Sequence, residues 1–70
     1  MDTPISRLIK HFGTQEETAL RLGVKQGTVS GWSTGRHGIS EVYALKAERL
    51  TDGAITAVEL CPRLAKVAAA

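Results

Sequence analysis

The chain has 70 residues, with nine Lys and Arg against seven Asp and Glu, a formal net charge of +2 and a pI of about 9.0. A chain this short predicts one domain over 1–70 with a small core. The single Cys61 excludes an internal disulfide and provides no metal site. There is no signal-peptide pattern and no run near the ~20 apolar residues that span a bilayer, so we expect a cytoplasmic protein without a membrane partner.

The charge and the aromatic content bear on nucleic-acid binding. A modest positive charge permits such binding without proving it, because many small domains are equally basic. Only Phe12, Trp32 and Tyr43 are aromatic, too few for the stacking platforms that bind RNA or single strands. If the chain binds nucleic acid, duplex DNA is the better target.

The first predicted helix runs from Pro4 to Phe12. Thr3 is placed to cap it, Pro4 suits the first helical position, and Gly13 ends it. Its apolar residues recur at spacings of three and four, and form one stripe for the core: Ile5, Leu8, Ile9 and Phe12.

Two further helices are predicted on either side of Gly23. Thr14 and Glu17 have the spacing of a capping box, so the second helix begins at Gln15 and ends near Leu22. The third runs from about 26 to 33. Two short helices joined through a tight turn with Gly are typical of a helix-turn-helix.

The third helix has an apolar side and a polar side. Val29 and Trp32 lie three residues apart and are predicted to pack inward. The residues left outward or flanking are small, polar and uncharged: Gln26, Gly27, Thr28, Ser30, Gly31 and Ser33. Lys25 precedes this helix where Ser, Thr or Asp would cap it, so its start lacks a good local cap.

The C-terminal third is predicted to contain a fourth helix, followed by a segment with two alternative structures. Ser40 is placed to cap a fourth helix that runs to about Leu50, with its apolar positions at Val42, Ala44, Leu45, Ala47 and Leu50. Thr56 and Glu59 form a second capping box, which favours a short fifth helix. The partial alternation of β-branched residues over 54–59 leaves a β-hairpin as the alternative. The preferred fold class is all-α with five short helices, and the alternative is α+β with a C-terminal hairpin.

The segment HFGTQEETALRLGVKQGTVSGW resembles the Cro-like phage repressors and related prophage or antitoxin-type regulators. The resemblance covers roughly Ile5 to Leu60. Its most specific parts are FGTQ, the spacing of Ala19 and Gly23, VSGW and ERLTDGAIT. It implies a lambda-repressor-like helix-turn-helix fold and a transcriptional repressor that acts in the cytoplasm of a bacterial host, associated with the nucleoid.

In that family the second helix of the pair enters the major groove. Carried over to this chain, the resemblance implies base contacts by Gln26, Gly27, Thr28, Ser30 and Gly31. Gln26 is the leading base reader, because an amide offers a donor and an acceptor together to the edge of adenine.

Contacts to the DNA backbone are expected at the start of the second helix and on both sides of the third. Gln15 begins the second helix, where free N–H groups favour a phosphate. Lys25, Arg36 and His37 flank the third helix and are the expected phosphate contacts.

A short recognition helix reads few base pairs, so we expect a weak homodimer on a pseudo-palindromic operator. The C-terminal segment, about 54–66, is predicted to form the interface through Ile55, Val58, Leu60 and Leu64.

Two other functions compete with repression. An antitoxin would bind a protein toxin through its C-terminal surface and contact DNA only to regulate its own operon. An enzyme is disfavoured, because His11, His37 and Cys61 lie on separate elements without a catalytic or metal-binding constellation. We therefore expect no catalysis, no metal and no cofactor.

Overall fold

The computed structural model describes residues 3–64, which form five helices and no strand. The helices are α1 (Pro4–Phe12), α2 (Gln15–Leu22), α3 (Gln26–Thr34), α4 (Glu41–Leu50) and α5 (Ala57–Leu60). The all-α prediction is confirmed, and the hairpin alternative over 54–59 is wrong. No helix within 3–64 is both long enough and apolar enough to cross a membrane. The last part of the predicted dimer segment, beyond Leu64, lies outside the described residues.

The ends of α1 and α2 follow the predicted capping residues. Thr3 Oγ1 accepts a hydrogen bond from the N–H of Ser6 at 3.0 Å, and Thr14 Oγ1 accepts one from the N–H of Glu17 at 3.0 Å. The predicted capping box at α2 is only half formed, because the Glu17 carboxylate accepts instead from Arg21 Nε at 2.9 Å. The side-chain pair one turn along the helix therefore replaces the reciprocal bond to the N-cap.

The turn between α2 and α3 is held from two sides. Gly23 has a φ of 74°, in the left-handed region that favours glycine, and the N–H of Val24 donates to the Ala19 carbonyl at 2.9 Å. Lys46 of α4 donates from Nζ to the Leu22 carbonyl at 3.1 Å. A cation at this helix end satisfies a free carbonyl and complements the helix dipole, so α4 fixes the helix-turn-helix geometry.

The core forms where all five helices meet. Trp32 is buried beside Tyr43, with 6.1 Å between ring centroids, which confirms its predicted role as core rather than as a stacking surface. Twelve apolar residues are buried: Leu8, Ala19, Leu22, Val29, Trp32, Ile39, Ala44, Ala47, Ile55, Ala57, Leu60 and Cys61.

The prediction for α4 needs two corrections. Only the small residues Ala44 and Ala47 are buried, whereas Val42, Leu45 and Leu50 are exposed. Two alanines three residues apart let neighbouring elements approach the inner side of the helix closely, and the larger apolar residues lie away from that side. Ser40 takes the N-cap position, but its side chain makes no capping hydrogen bond.

The link from α4 to α5 is organised by a buried hydroxyl. Thr51 Oγ1 donates to the Ala47 carbonyl at 2.9 Å and accepts from the N–H of Ile55 at 3.3 Å. Glu48 accepts from the N–H of Ala57 at 2.8 Å. Glu48 of α4 and the C-cap residue Thr51 thereby bond the backbone on either side of Thr56.

Thr51→Val is expected to lower the free energy of unfolding by about 1–3 kcal/mol, because it leaves the buried N–H of Ile55 without its side-chain acceptor. Urea denaturation measures the change. Thr34→Val is the matched control: Thr34 is exposed and its hydroxyl donates to the Ser30 carbonyl, so a change within about 0.5 kcal/mol is expected. Equal losses in the two variants would contradict this role for Thr51.

Glu59 joins α5 to α1. Its carboxylate accepts from the N–H and the hydroxyl of Thr56, both at 3.0 Å, and pairs with the Arg7 guanidinium. The second predicted capping box is therefore confirmed. The Thr56 backbone N–H, and after it Arg7, lowers the pKa of Glu59 from 4.5 to about 2.

This lowered pKa predicts a pH dependence of stability. A carboxylate whose pKa is lower in the folded chain stabilises the fold above the unfolded value, and this contribution is lost as the pH falls from 4.5 to about 2. Glu59→Gln should therefore be less stable than wild type near neutral pH, and the difference should close across that window. Thermal unfolding at a series of pH values measures it. A difference that did not change with pH would contradict the prediction.

Candidate nucleic-acid interface

The outward side of α3 presents short polar groups. Val29 and Trp32 hold the helix in the core, while Gln26 and Gly27 are exposed and Thr28 and Ser30 are half-buried. Nothing lies within 4 Å of the position that a Cβ on Gly27 would occupy. Gln26 and Gly27, in the first turn of α3, are therefore open to solvent and accessible to a large ligand such as DNA.

Gly31 departs from the prediction, because it is buried rather than open to solvent. A Cβ on Gly31 would lie 2.7 Å from Cε1 and 2.8 Å from Cδ2 of His37. The imidazole covers the backbone at this position, so Gly31 itself is not open to a base. The sequence could not show this, because the contact depends on how the following loop folds back.

The loop after α3 is fixed at both ends. Gly35 has a φ of 78° and reverses the chain, so that the Gly31 carbonyl accepts from the N–H of Arg36 at 2.9 Å and from that of His37 at 3.4 Å. Ile39 then enters the core. His37 is thus returned to the last turn of α3 instead of extending away from it.

The predicted phosphate contacts lie at helix ends. Gln15 is the half-buried first residue of α2. Lys25 takes the N-cap position of α3 without a side-chain capping bond, as the sequence predicts. The first N–H groups of α3 therefore have no side-chain cap from Lys25, and an anion can satisfy such groups.

The distribution of charge favours an anion at this surface. Three ion pairs form within residues 3–64: Arg7 with Glu59, Arg21 with Glu17, and Arg63 with Glu41. Lys25 and Arg36 are exposed and belong to none of them. The two cations that flank α3 are therefore not neutralised by a described carboxylate.

The structure places the four predicted dimer residues unequally. Ile55 and Leu60 are buried in the core of the same chain, with exposed fractions of 3% and 7%, so their assignment as free interface residues is wrong. Both belong to the core cluster of this chain, and α5, which carries Leu60, packs against α4 and α1. Val58 is exposed, at 42%, and Leu64 packs partly against the core.

The histidines and the cysteine do not assemble into a site. His11 packs edge-on against Phe12, while Cys61 is buried with its thiol 3.7 Å from a Glu41 oxygen. Among residues 3–64, no three His, Cys, Asp or Glu side chains are grouped so that they could hold a metal ion.

Comparison with known proteins identifies the family of the chain. The family model described as bacterial toxin YdaS matches residues 5–66. The "Regulatory protein cro" of Pseudomonas phage D3 is 55% identical over 62 residues, which cover 89% of this chain and 85% of that protein. The chain belongs to the Cro-like helix-turn-helix family. No solved structure matches it.

Membership of the Cro-like family confirms the resemblance carried by the segment from His11 to Trp32. It also makes the chain a Cro-like transcriptional regulator. The relative's name denotes a regulator, which is not a kind of enzyme.

Proposed function

We propose that the chain is a transcriptional repressor that binds a pseudo-palindromic operator in double-stranded DNA as a dimer. The observation that carries the proposal is the outward side of α3, where exposed polar groups lie between two cations without an ion-pair partner among the described residues. A major groove is wide enough to admit such a helix. The phage regulator that is 55% identical supports the same class of function.

The base-contacting residues in this proposal are Gln26, Gly27, Thr28 and Ser30. Gln26 is exposed in the first turn of α3, the turn that reads base edges in helix-turn-helix proteins. The open backbone at Gly27 lets α3 approach the floor of the groove, since no side chain stands there.

The DNA backbone is contacted on both sides of the reading helix. Gln15 and the first N–H groups of α2 face one phosphate, and Lys25 supplies a positive charge beside α3. Arg36 reaches a phosphate beyond the other end of α3. These contacts set affinity and orientation but not sequence preference.

Dimerisation supplies the second half-site. The exposed Val58 and the partly buried Leu64 are the apolar residues that remain available from the predicted C-terminal interface. Such a contact is small, which agrees with a weak dimer that forms mainly on DNA. A repressor of this kind needs no cofactor and acts in the cytoplasm.

Selection of binding sites from a random duplex pool at about 150 mM salt tests the proposal. We expect an enriched inverted repeat whose half-sites are about one helical turn apart. Binding that enriched no sequence and simply weakened as salt increased would show only non-specific attraction and would refute a sequence-specific repressor.

An antitoxin that binds a protein toxin is the second candidate, which the match to a family model described as bacterial toxin YdaS leaves open. The C-terminal surface favours it less, because Ile55 and Leu60 are buried in this chain and cannot contact a partner. Gln26→Ala separates the two functions, because it should weaken operator binding and spare a protein partner, whereas a substitution at Leu64 should do more harm to partner binding.

A further inference from the structure

We infer that His37 is a base-contacting residue, and that it supplies from the loop the side chain that α3 lacks at Gly31. The inference rests on the proposed function. It makes His37 a base contact in the operator, in place of the phosphate contact expected from the sequence. Gly31 then acts as the positioning residue, because its missing Cβ makes room for the imidazole.

The first step is the placement of the ring. Residues four apart share a face of an α-helix, so Gly31 lies one turn beyond Gly27 on the outward side of α3. Three atoms of the His37 ring, Nε2, Cε1 and Cδ2, are the nearest to the position of a Gly31 Cβ. The imidazole thus occupies the volume of a side chain at 31, while His37 as a residue stays exposed.

The second step is that the placement is built into the backbone. The Gly31 carbonyl accepts from the N–H of both Arg36 and His37, and Ile39 anchors the loop in the core. The backbone that carries His37 is therefore fixed beside α3 before any ligand arrives, and the ring lies against Gly31. A contact that is already positioned loses less conformational entropy when the complex forms.

The third step is the chemistry that the ring offers. A neutral imidazole carries one N–H donor and one acceptor nitrogen, and the protonated ring carries two donors. In the major groove, the N7 and O6 atoms of guanine and the N7 of adenine are acceptors. Nε2 is the ring atom nearest to the position of a Gly31 Cβ, so Nδ1 is the nitrogen that His37 offers to a purine edge, while the exposed Arg36 fits a phosphate.

The experiment is site selection followed by affinity measurements against salt for wild type, His37→Ala, His37→Phe, Gly31→Ala and Arg36→Ala. We expect His37→Ala to lose about 5- to 150-fold of the preference at one symmetric base pair per half-site, the range for a single mismatched base pair. His37→Phe should lose the same preference, because phenylalanine keeps a ring over Gly31 without the nitrogens. Arg36→Ala should weaken binding to all sequences and reduce the salt slope by about one.

Gly31→Ala tests the positioning role. The added methyl collides with the ring, so this variant should lose preference at the same base pair even though His37 is retained. Combining it with His37→Ala should then cause no further loss. In the free wild-type protein, nuclear Overhauser contacts between the His37 ring and the Gly31 α protons should be present. In Gly31→Ala these contacts at position 31 should be absent, while an unchanged circular dichroism spectrum shows that the variant is folded.

The outcomes separate the two proposals. A His37→Ala or His37→Phe variant that kept the wild-type base preference would overturn the inference while leaving the repressor function in place. The same holds if His37→Ala weakened binding equally for all sequences and reduced the salt slope, since that is the behaviour of a phosphate contact. A wild-type chain that enriched no sequence would refute the proposed function, and the inference with it.

Discussion

Leu22→Ala is expected to lower the free energy of unfolding by about 2–5 kcal/mol. Leu22 ends α2 with an exposed fraction of 0%, and Lys46 binds its carbonyl, so it lies where α2, its turn and α4 meet. Replacing the isobutyl side chain with a methyl group leaves a cavity in the core. Domains of this size are stable by only about 3.5–10 kcal/mol, from about 0.05–0.15 kcal/mol per residue, so the expected loss is a large part of the total stability.

Leu20→Ala is the matched control for this prediction. It makes the same chemical change in the same helix, two residues away, but Leu20 is 73% exposed. Its stability should change by no more than about 0.5 kcal/mol. Thermal and urea unfolding of both variants measure the contrast. Similar losses would show that helix propensity, rather than core packing, determines the stability of α2.

The helices were predictable because their ends depend on local chemistry. Thr3 and Thr56 cap α1 and α5 through bonds to N–H groups three residues along the chain, and Gly23 takes the left-handed conformation that ends α2. Interactions that span three or four residues can be read from a single sequence. The same reasoning failed at Ser40, whose identity suits a cap but whose side chain makes no capping bond.

The errors concern where an apolar residue is buried: in the core of its own chain, against a partner, or not at all. The sequence shows that Ile55 and Leu60 avoid water, but the same pattern fits burial in their own chain or in a dimer. Val42 and Leu45 fit an apolar helix face, yet Ala44 and Ala47 are the residues that reach the core. These choices are made by contacts between distant segments.

The outward side of α3 depends both on local spacing in the sequence and on contacts with a more distant loop. The exposure of Gln26 follows from its spacing relative to Val29 and Trp32, so its placement on the outward side could be predicted. The burial of Gly31 depends on Gly35 reversing the chain and on His37 returning to α3. The missing Cβ of Gly31 therefore makes room for a close approach, and the approaching group is an imidazole of the same chain.

Gln26→Ala is expected to produce the largest loss of operator discrimination. A bidentate amide contact to adenine is worth about 1–3 kcal/mol, and a two-fold dimer makes it twice, so the preference over a site changed in both halves should fall by about 2–6 kcal/mol. Binding to non-specific DNA should change little, because Gln26 carries no charge and phosphate contacts dominate that binding. Fluorescence titration against both duplexes measures the difference.

Gln15→Ala is the control with the same side-chain change. Gln15 lies at the start of α2, where its amide is proposed to bind a phosphate, so its loss should weaken binding to the operator and to the altered duplex by the same factor. The two glutamines are therefore distinguished by preference rather than by affinity. If Gln26→Ala also weakened both duplexes equally, Gln26 would be a backbone contact, and the reading of the operator would have to come from the remaining polar residues of α3 and from His37.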